Sequence, residues 1–135
     1  MMDGLIVNQN VIAKRILIVD DAATVRMYHR GILESAGYAV EEAMNGIEAL
    51  EKTLEAPFDL YVVDVNMPKL NGYGFLSELR QQEILQQPAI MVSTEAAPGD
   101  EAAAYRSGAN GYLVKPVQPT QLLTHARLML GEAIR

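Results

Sequence analysis

Five residues of this 135-residue chain have the types and positions to do chemistry together: Asp20, Asp21, Asp64, Ser93 and Lys115. Each ends or follows a short apolar run. ILIV (16–19) leads into Asp20 and Asp21, LYVV (60–63) into Asp64, AIMV (89–92) into Ser93 and Thr94, and GYLV (111–114) into Lys115-Pro116. Two adjacent aspartates are an odd end for a dry segment. One Asp could cap a helix and favour the positive end of its dipole, but a second adds mostly repulsion. Carboxylates gathered in one place raise one another's pKa, and a hard divalent cation relieves that. Mg²⁺ commonly takes one or two carboxylates with water and substrate phosphate. Asp20 and Asp21 then read as a metal platform, Asp64 as the group acting on the metal-bound phosphate, and Lys115 and Ser93 as stabilisers of its oxygens.

That chemistry requires one fold edge to collect all five residues. Three strong strand-length runs, at 15–19, 60–65 and 89–93, lack polar alternation, as parallel strands covered on both faces do. Two weaker runs lie at 38–43 and 111–114. Helical spacing fills the intervals. Residues 23–36 place Val25, Ile32, Leu33 and Ala36 on one face before Gly37; 45–55 carry Ile47, Leu50 and Leu54; 73–85 carry Phe75, Leu76 and Leu79. A fourth helix opens at Pro98 and closes at Gly108, and a fifth spans 119–134 with Leu122, Leu123, Ala126, Leu130 and Ile134 inward. Five βα units argue for an α/β doubly wound parallel sheet with right-handed crossovers. Ligands of such sheets bind beyond the carboxyl ends of the strands, where the five residues stand.

Composition narrows the function. The chain is 50% hydrophobic and 21% charged, ordinary for a globular domain. It has no cysteine, which removes disulfides and thiolate metal sites and suits a cytoplasmic location. No apolar run approaches the roughly 18 residues of a membrane span, and the first thirteen residues do not form a signal peptide. A net charge of −6 disfavours nucleic acid and anionic lipid, leaving proteins as the expected partners. Residues 1–13 are expected to be a mobile extension before a domain at 14–135. G-x-x-x-x-G-K-[ST] is absent, and GYGFLS (72–77) has Ser77 where a dinucleotide loop needs Gly.

The segments LIVDDAATVR, LYVVDVNMPKLNGYGFL, IMVSTEA and GANGYLVKP, in this order and spacing, resemble the receiver domains of two-component response regulators, particularly the stand-alone chemotaxis (CheY-like) type. The likeness spans about residues 14–133 and implies a flavodoxin-like five-stranded sheet in the order 2-1-3-4-5. It also implies a phosphorylation-activated signalling switch, with Asp64 accepting a phosphoryl group from a sensor histidine kinase or phosphotransfer protein. Asp21, Asp64 and the Asn66 carbonyl would ligate Mg²⁺ directly and Asp20 through water, Ser93 and Tyr112 would be the switch pair, and Lys115 would join Pro116 by a cis bond. Asn66 and Glu95 would favour a short-lived phosphoryl group. No external substrate is turned over in such a module. Output would pass through protein contacts on the face built from 98–108, 111–114 and 119–134, since no output domain is expected after the last helix. Val65, Val117 and the acidic APGDEAAA (97–104) depart from the chemotaxis prototype and weigh against a flagellar motor switch as the target.

Two other readings fit less well. A phosphorylation-independent interaction domain would be expected to have lost one of the five site residues, whereas the alternative of a phosphate sink competing for the kinase would keep all five and differ only in its output. A haloacid dehalogenase would need D-x-D-x-[TV] on the first strand, which DDAAT does not supply. His29 and His125 are expected on helix surfaces, and the seven methionines in the core.

Overall fold

A computed structural model describes residues 12–132. The strands are β1 (Arg15–Val19), β2 (Ala39–Ala43), β3 (Leu60–Asp64), β4 (Ala89–Ser93) and β5 (Gly111–Val114). They alternate with α1 (Ala23–Ser35), α2 (Gly46–Glu55), α3 (Gly72–Gln81), α4 (Pro98–Ser107) and α5 (Pro119–Met129). All neighbouring strands pair in parallel, in the order β2-β1-β3-β4-β5. This is the expected flavodoxin-like α/β architecture. Among the described residues, no helix is long and apolar enough to cross a membrane.

The central strands read as unbroken apolar runs because both sheet faces are covered. Leu17, Val19, Tyr61, Val63 and Met91 enter one core with Phe75, Leu76 and Leu79 of α3. Ile16, Ile18, Leu60, Val62 and Ile90 enter the other with Leu33 of α1 and Leu122 and Ala126 of α5. β3 and β4 are buried at all five positions. Burial of this kind gives roughly 1.5–3 kcal/mol per large aliphatic side chain, so β3, which carries Asp64, is held among the most firmly packed parts of the chain.

The helices depart from their sequence patterns in instructive ways. α2 turns Gly46, Ala49 and Thr53 fully inward; of the expected inward residues Leu50 packs partly buried against the same core, but Ile47 and Leu54 do not. Ile47 is 47% and Leu54 70% exposed. Small residues face inward because the segment after β3 lies close: Gly46 donates its N–H to the Leu70 carbonyl at 3.0 Å, and a Cβ on Gly46 would stand 2.6 Å from that oxygen. α3 stops at Gln81 rather than 85, and Leu85, expected to continue it, is 80% exposed. α5 stops at Met129, with Gly131 at a φ of +73°, so the expected reach to 134 falls partly outside the described residues, as do Ile134 and most of the 1–13 extension. The methionines are split: Met91 is in the core, but Met27 and Met44 are exposed, against the expectation of core filling.

Candidate phosphoacceptor and metal site

Strand register assembles the site. Val19 lies opposite Val63, which brings Asp20 level with Asp64 on the adjacent strand. Asp64 lies opposite Val92, so Ser93 stands one step further along, and Ser93 lies opposite Val114, so Lys115 stands one step beyond that. The five residues therefore meet at the carboxyl edge, on the three strands nearest the middle and on β5. The segment after Asp64 is drawn back over the strand end by a Gly72 N–H bond to the Val65 carbonyl at 2.9 Å. A Cβ at Gly72 would lie 2.2 Å from the Asp64 carbonyl oxygen, so only glycine permits this approach. Asn71 caps α3 through the Gly74 N–H at 2.9 Å, and two residues before it Lys69 takes a left-handed φ of +68°.

Asp20, Asp21 and Asp64 converge: one ligating atom of each lies within 4.8 Å of the other two. Asp20 and Asp64 are buried and Asp21 is exposed, so the cluster has a dry floor and an open rim. Neither Asp caps α1. The N-cap position is Ala22, without a side-chain bond, and Asp20 Oδ1 accepts the Ala22 N–H itself at 2.9 Å. Lys115 Nζ donates to Asp20 Oδ2 at 2.9 Å and to Asp64 Oδ1 at 3.0 Å. One ammonium thus serves a cluster of three carboxylates. Asn66 is exposed two residues beyond Asp64.

The electrostatics follow from that imbalance. Burial pushes the Asp64 carboxyl above its ordinary value, the Lys115 hydrogen bond opposes this, and the Asp20 and Asp21 charges add to it. Burial works to lower the Lys115 ammonium, but its bonds to Asp20 and Asp64 prevail and its pKa is raised. Among the described residues Lys115 is the one cation paired with these carboxylates, Arg26 reaching only the Asp20 main-chain carbonyl, and carboxylate oxygens converging at an open rim are the donor set a hard divalent ion takes.

Ser93 is buried, and its Oγ accepts the Glu95 N–H at 3.0 Å. Tyr112 donates its hydroxyl to the Glu95 carbonyl at 2.6 Å. Both switch candidates therefore hold the same residue, one by its N–H and one by its C=O. Sequence reading singled out Glu95 only for hydrolysis. The signal available was a serine followed two residues later by a backbone N–H within reach of its hydroxyl. The Lys115–Pro116 bond is cis, as expected.

His29 corrects the sequence reading. It is 1% exposed rather than on the surface, and its Nδ1 has no hydrogen-bond partner among the described residues. Burial pushes its imidazole below the ordinary histidine value; the Asp20 charge opposes this and the Lys115 charge assists it. The spacing Val25, His29, Ile32, Leu33, Ala36 put His29 in the middle of the apolar face of α1, and its polarity disguised this. His125 is partly exposed, with Nδ1 2.9 Å from the Gln121 carbonyl oxygen.

A family model described as the response regulator receiver domain matches residues 16–127. The chain belongs to that family. It is 39% identical over 114 residues to the chemotaxis protein CheY of Thermotoga maritima, covering 82% of this chain and 92% of that protein. It is 34% identical over 119 residues to the transcriptional regulatory protein ResD of Bacillus subtilis, covering 88% of this chain but spanning only 49% of that one. The solved chemotaxis protein CheY4 of Vibrio cholerae superposes with a TM-score of 0.82 at 37% identity, covering 88% of this chain and all (100%) of that one. The receiver domain of sensor histidine kinase PA1611 from Pseudomonas aeruginosa, solved with a magnesium ion in its active-site cleft, gives 0.82 at 29% identity, covering 90% of this chain and 100% of that one. As a receiver domain of two-component signalling, the chain is a phosphoacceptor signalling switch.

Proposed function

We propose that Asp64 is the phosphoacceptor. The observation that carries this reading is the Lys115 ammonium bridging Asp64 and Asp20 inside a three-carboxylate cluster. A carboxylate oxygen of Asp64 attacks the phosphorus of a phosphohistidine; the new P–O bond forms as the P–N bond breaks, and the imidazole leaves with the electron pair. Lys115 then faces an acyl phosphate whose oxygens it stabilises by charge-assisted hydrogen bonds. Asp21, Asp64 and the Asn66 carbonyl are the proposed direct ligands of Mg²⁺, with Asp20 acting through water. The ion, when bound, neutralises phosphoryl oxygen charge. The acyl phosphate is hydrolysed by water on the same chain, so no external substrate is turned over.

The readout follows from the Glu95 link. A phosphoryl group offers Ser93 a stronger acceptor than any it now has, and a Ser93 hydroxyl turned toward Asp64 loosens its hold on the Glu95 N–H. Glu95 leads into α4, in which only Ala104 of ten residues is buried, so little packing resists a shift. Tyr112 tracks the same carbonyl. α4, β5 and α5 thereby form the face read by a downstream protein, in the cytoplasm where the kinase domain also resides. A full swing from 1:99 to 99:1 needs about 5.5 kcal/mol. A hydrogen bond to a charged group contributes roughly 1.5–3 kcal/mol, so Ser93 and Lys115 act together.

Incubation with acetyl phosphate and Mg²⁺ should add one phosphoryl group to the wild-type chain and none to Asp64→Asn, read by intact mass. Equal labelling of the variant, or full labelling in EDTA, contradicts the assignment.

A further inference from the structure

Arg26 of α1 reaches the carboxyl edge and holds backbone there rather than a carboxylate of the cluster. Its side chain is only 14% exposed. Nη1 donates to the Asp20 carbonyl at 2.7 Å, and Nε donates to Glu42 Oε1 on β2 at 2.8 Å. The Asp20 N–H donates in turn to the Ala43 carbonyl at 3.0 Å. The residue before Asp21 is therefore tied on both sides of its backbone, to the edge strand by its N–H and to α1 by its C=O. Glu42 also accepts from Arg30 at 2.7 Å. The Arg30 bond, opposed by burial and joined by the Arg26 bond, holds the Glu42 carboxyl below its ordinary value, so Arg26 is anchored by a charged partner.

We propose that Arg26 is a positioning residue for the metal site: by holding the Asp20 carbonyl it fixes the peptide plane that leads to Asp21, and so sets the affinity for Mg²⁺. This rests on the reading of the Mg²⁺ ligands given above. Asp21 is the exposed member of the cluster, so the backbone that carries it, rather than packing, directs its carboxylate. Any turn of the Asp20 carbonyl turns the Asp21 amide with it, because the two share one rigid peptide unit. Mg²⁺ demands near-ideal octahedral geometry, and a ligand whose backbone is ordered beforehand loses less freedom when the ion arrives. Charge acts the other way. A guanidinium beside three carboxylates repels a divalent cation, and its pairing with Glu42 offsets only part of that. Neutralising Arg26 separates the two effects: loss of the charge alone tightens Mg²⁺ binding, whereas loss of the positioning weakens it.

Mg²⁺ titrated into the ¹⁵N-labelled, unphosphorylated chain and followed at the Asp21 amide gives the dissociation constant in wild type, Arg26→Gln and Arg30→Ala. Arg26→Gln should bind Mg²⁺ at least threefold more weakly than wild type, although a cation near the site has been removed. Arg30→Ala also loses a cation, one bonded to Glu34 and Glu42 but not to Asp20, and should lose clearly less affinity than Arg26→Gln. A smaller loss in Arg26→Gln, or a gain, overturns the inference. So does an equal loss in Arg30→Ala, because the effect then belongs to the ion pairs around Glu42. Should Arg26→Gln not fold, wild type decides through the reciprocal effect, since a contact that strengthens Mg²⁺ binding is itself strengthened by Mg²⁺. Saturating Mg²⁺ should slow hydrogen exchange at Arg26 Nε at least twofold, and unchanged exchange overturns the inference. No response of wild type to Mg²⁺ overturns the reading of the metal site, whereas equal binding by wild type and Arg26→Gln overturns the role of Arg26 alone.

Discussion

The two ends of the sheet treat charge in opposite ways. At the amino edge, Arg15 begins β1 with its guanidinium 4.4 Å above the Phe58 ring, bonded to the Pro57 carbonyl and the Glu41 carboxylate. Its own N–H donates to Asp59 Oδ2 at 2.7 Å. Arg80, at the end of α3, donates to the Gly108 carbonyl at 2.9 Å and 3.1 Å and to the Gln87 carbonyl at 2.7 Å. These cations are saturated by fixed acceptors. At the carboxyl edge, three carboxylates share one ammonium, and Asp64 holds its proton more tightly than a free carboxyl. A closed end fastens strands and loops. An end left short of positive charge is a donor set that suits a divalent cation.

The comparison predicts that mutations at the closed end cost stability and those at the open end cost chemistry. The largest effect belongs to Phe58→Ala. Phe58 is 3% exposed and packs against Tyr61 and the Arg15 guanidinium. Its truncation should cost about 3–5 kcal/mol in chemical denaturation, while the fraction of folded protein that accepts phosphate from acetyl phosphate stays unchanged. A loss of phosphoryl uptake at full folding would break the division between the two ends.

Asp64→Asn should act in the other direction. Because the folded-state pKa of Asp64 lies above its unfolded value, the unfolded chain ionises first as pH rises, and stability falls across that interval. The penalty is absent in acid and fully present at neutral pH. In EDTA the variant should therefore melt higher than wild type near pH 7, with the two converging toward pH 3. A variant that melts lower at pH 7 would mean that the Asp64–Lys115 bond outweighs the burial of the charge.

The smallest effect is expected away from both ends. Arg30 pairs with Glu34 at 3.0 Å and Glu42 at 2.7 Å, but its side chain is 38% exposed. Exposed pairs contribute little after screening, so Arg30→Ala should cost at most about 1 kcal/mol, measured by urea denaturation, and less in high salt.

The open end was the more legible of the two in the sequence. Asp20, Asp64, Ser93 and Lys115 each interrupt or end an apolar run, and a parallel sheet covered on both faces has no other place for such residues. The closed end left no comparable mark. Arg15 and Arg80 look like surface cations until the carbonyls they cross to are brought near by the fold. The helix faces were legible where large side chains face the core, as in α3. They were not in α2, where a close backbone approach admits only glycine at 46, the small Ala49 and Thr53 are buried beyond it, and Ile47 and Leu54 face outward. His29 was hidden for a related reason: a polar residue type inside an apolar stripe reads as surface until the stripe is followed through it. The caps at Asn45 and Asn71 had the right residue types, but boundaries alone do not tell which Asn is bonded.

The central claim is that the carboxyl edge is built to be completed by a divalent cation next to the phosphoacceptor. Thermal unfolding with rising Mg²⁺ tests it most directly, in wild type, Asp64→Asn and Asp21→Asn. The wild-type chain should gain about 2.7 kcal/mol once Mg²⁺ reaches 100 times its dissociation constant, and both variants should lose most of that gain at the same concentration. An equal Mg²⁺ gain in all three proteins, or none in wild type, would contradict the account.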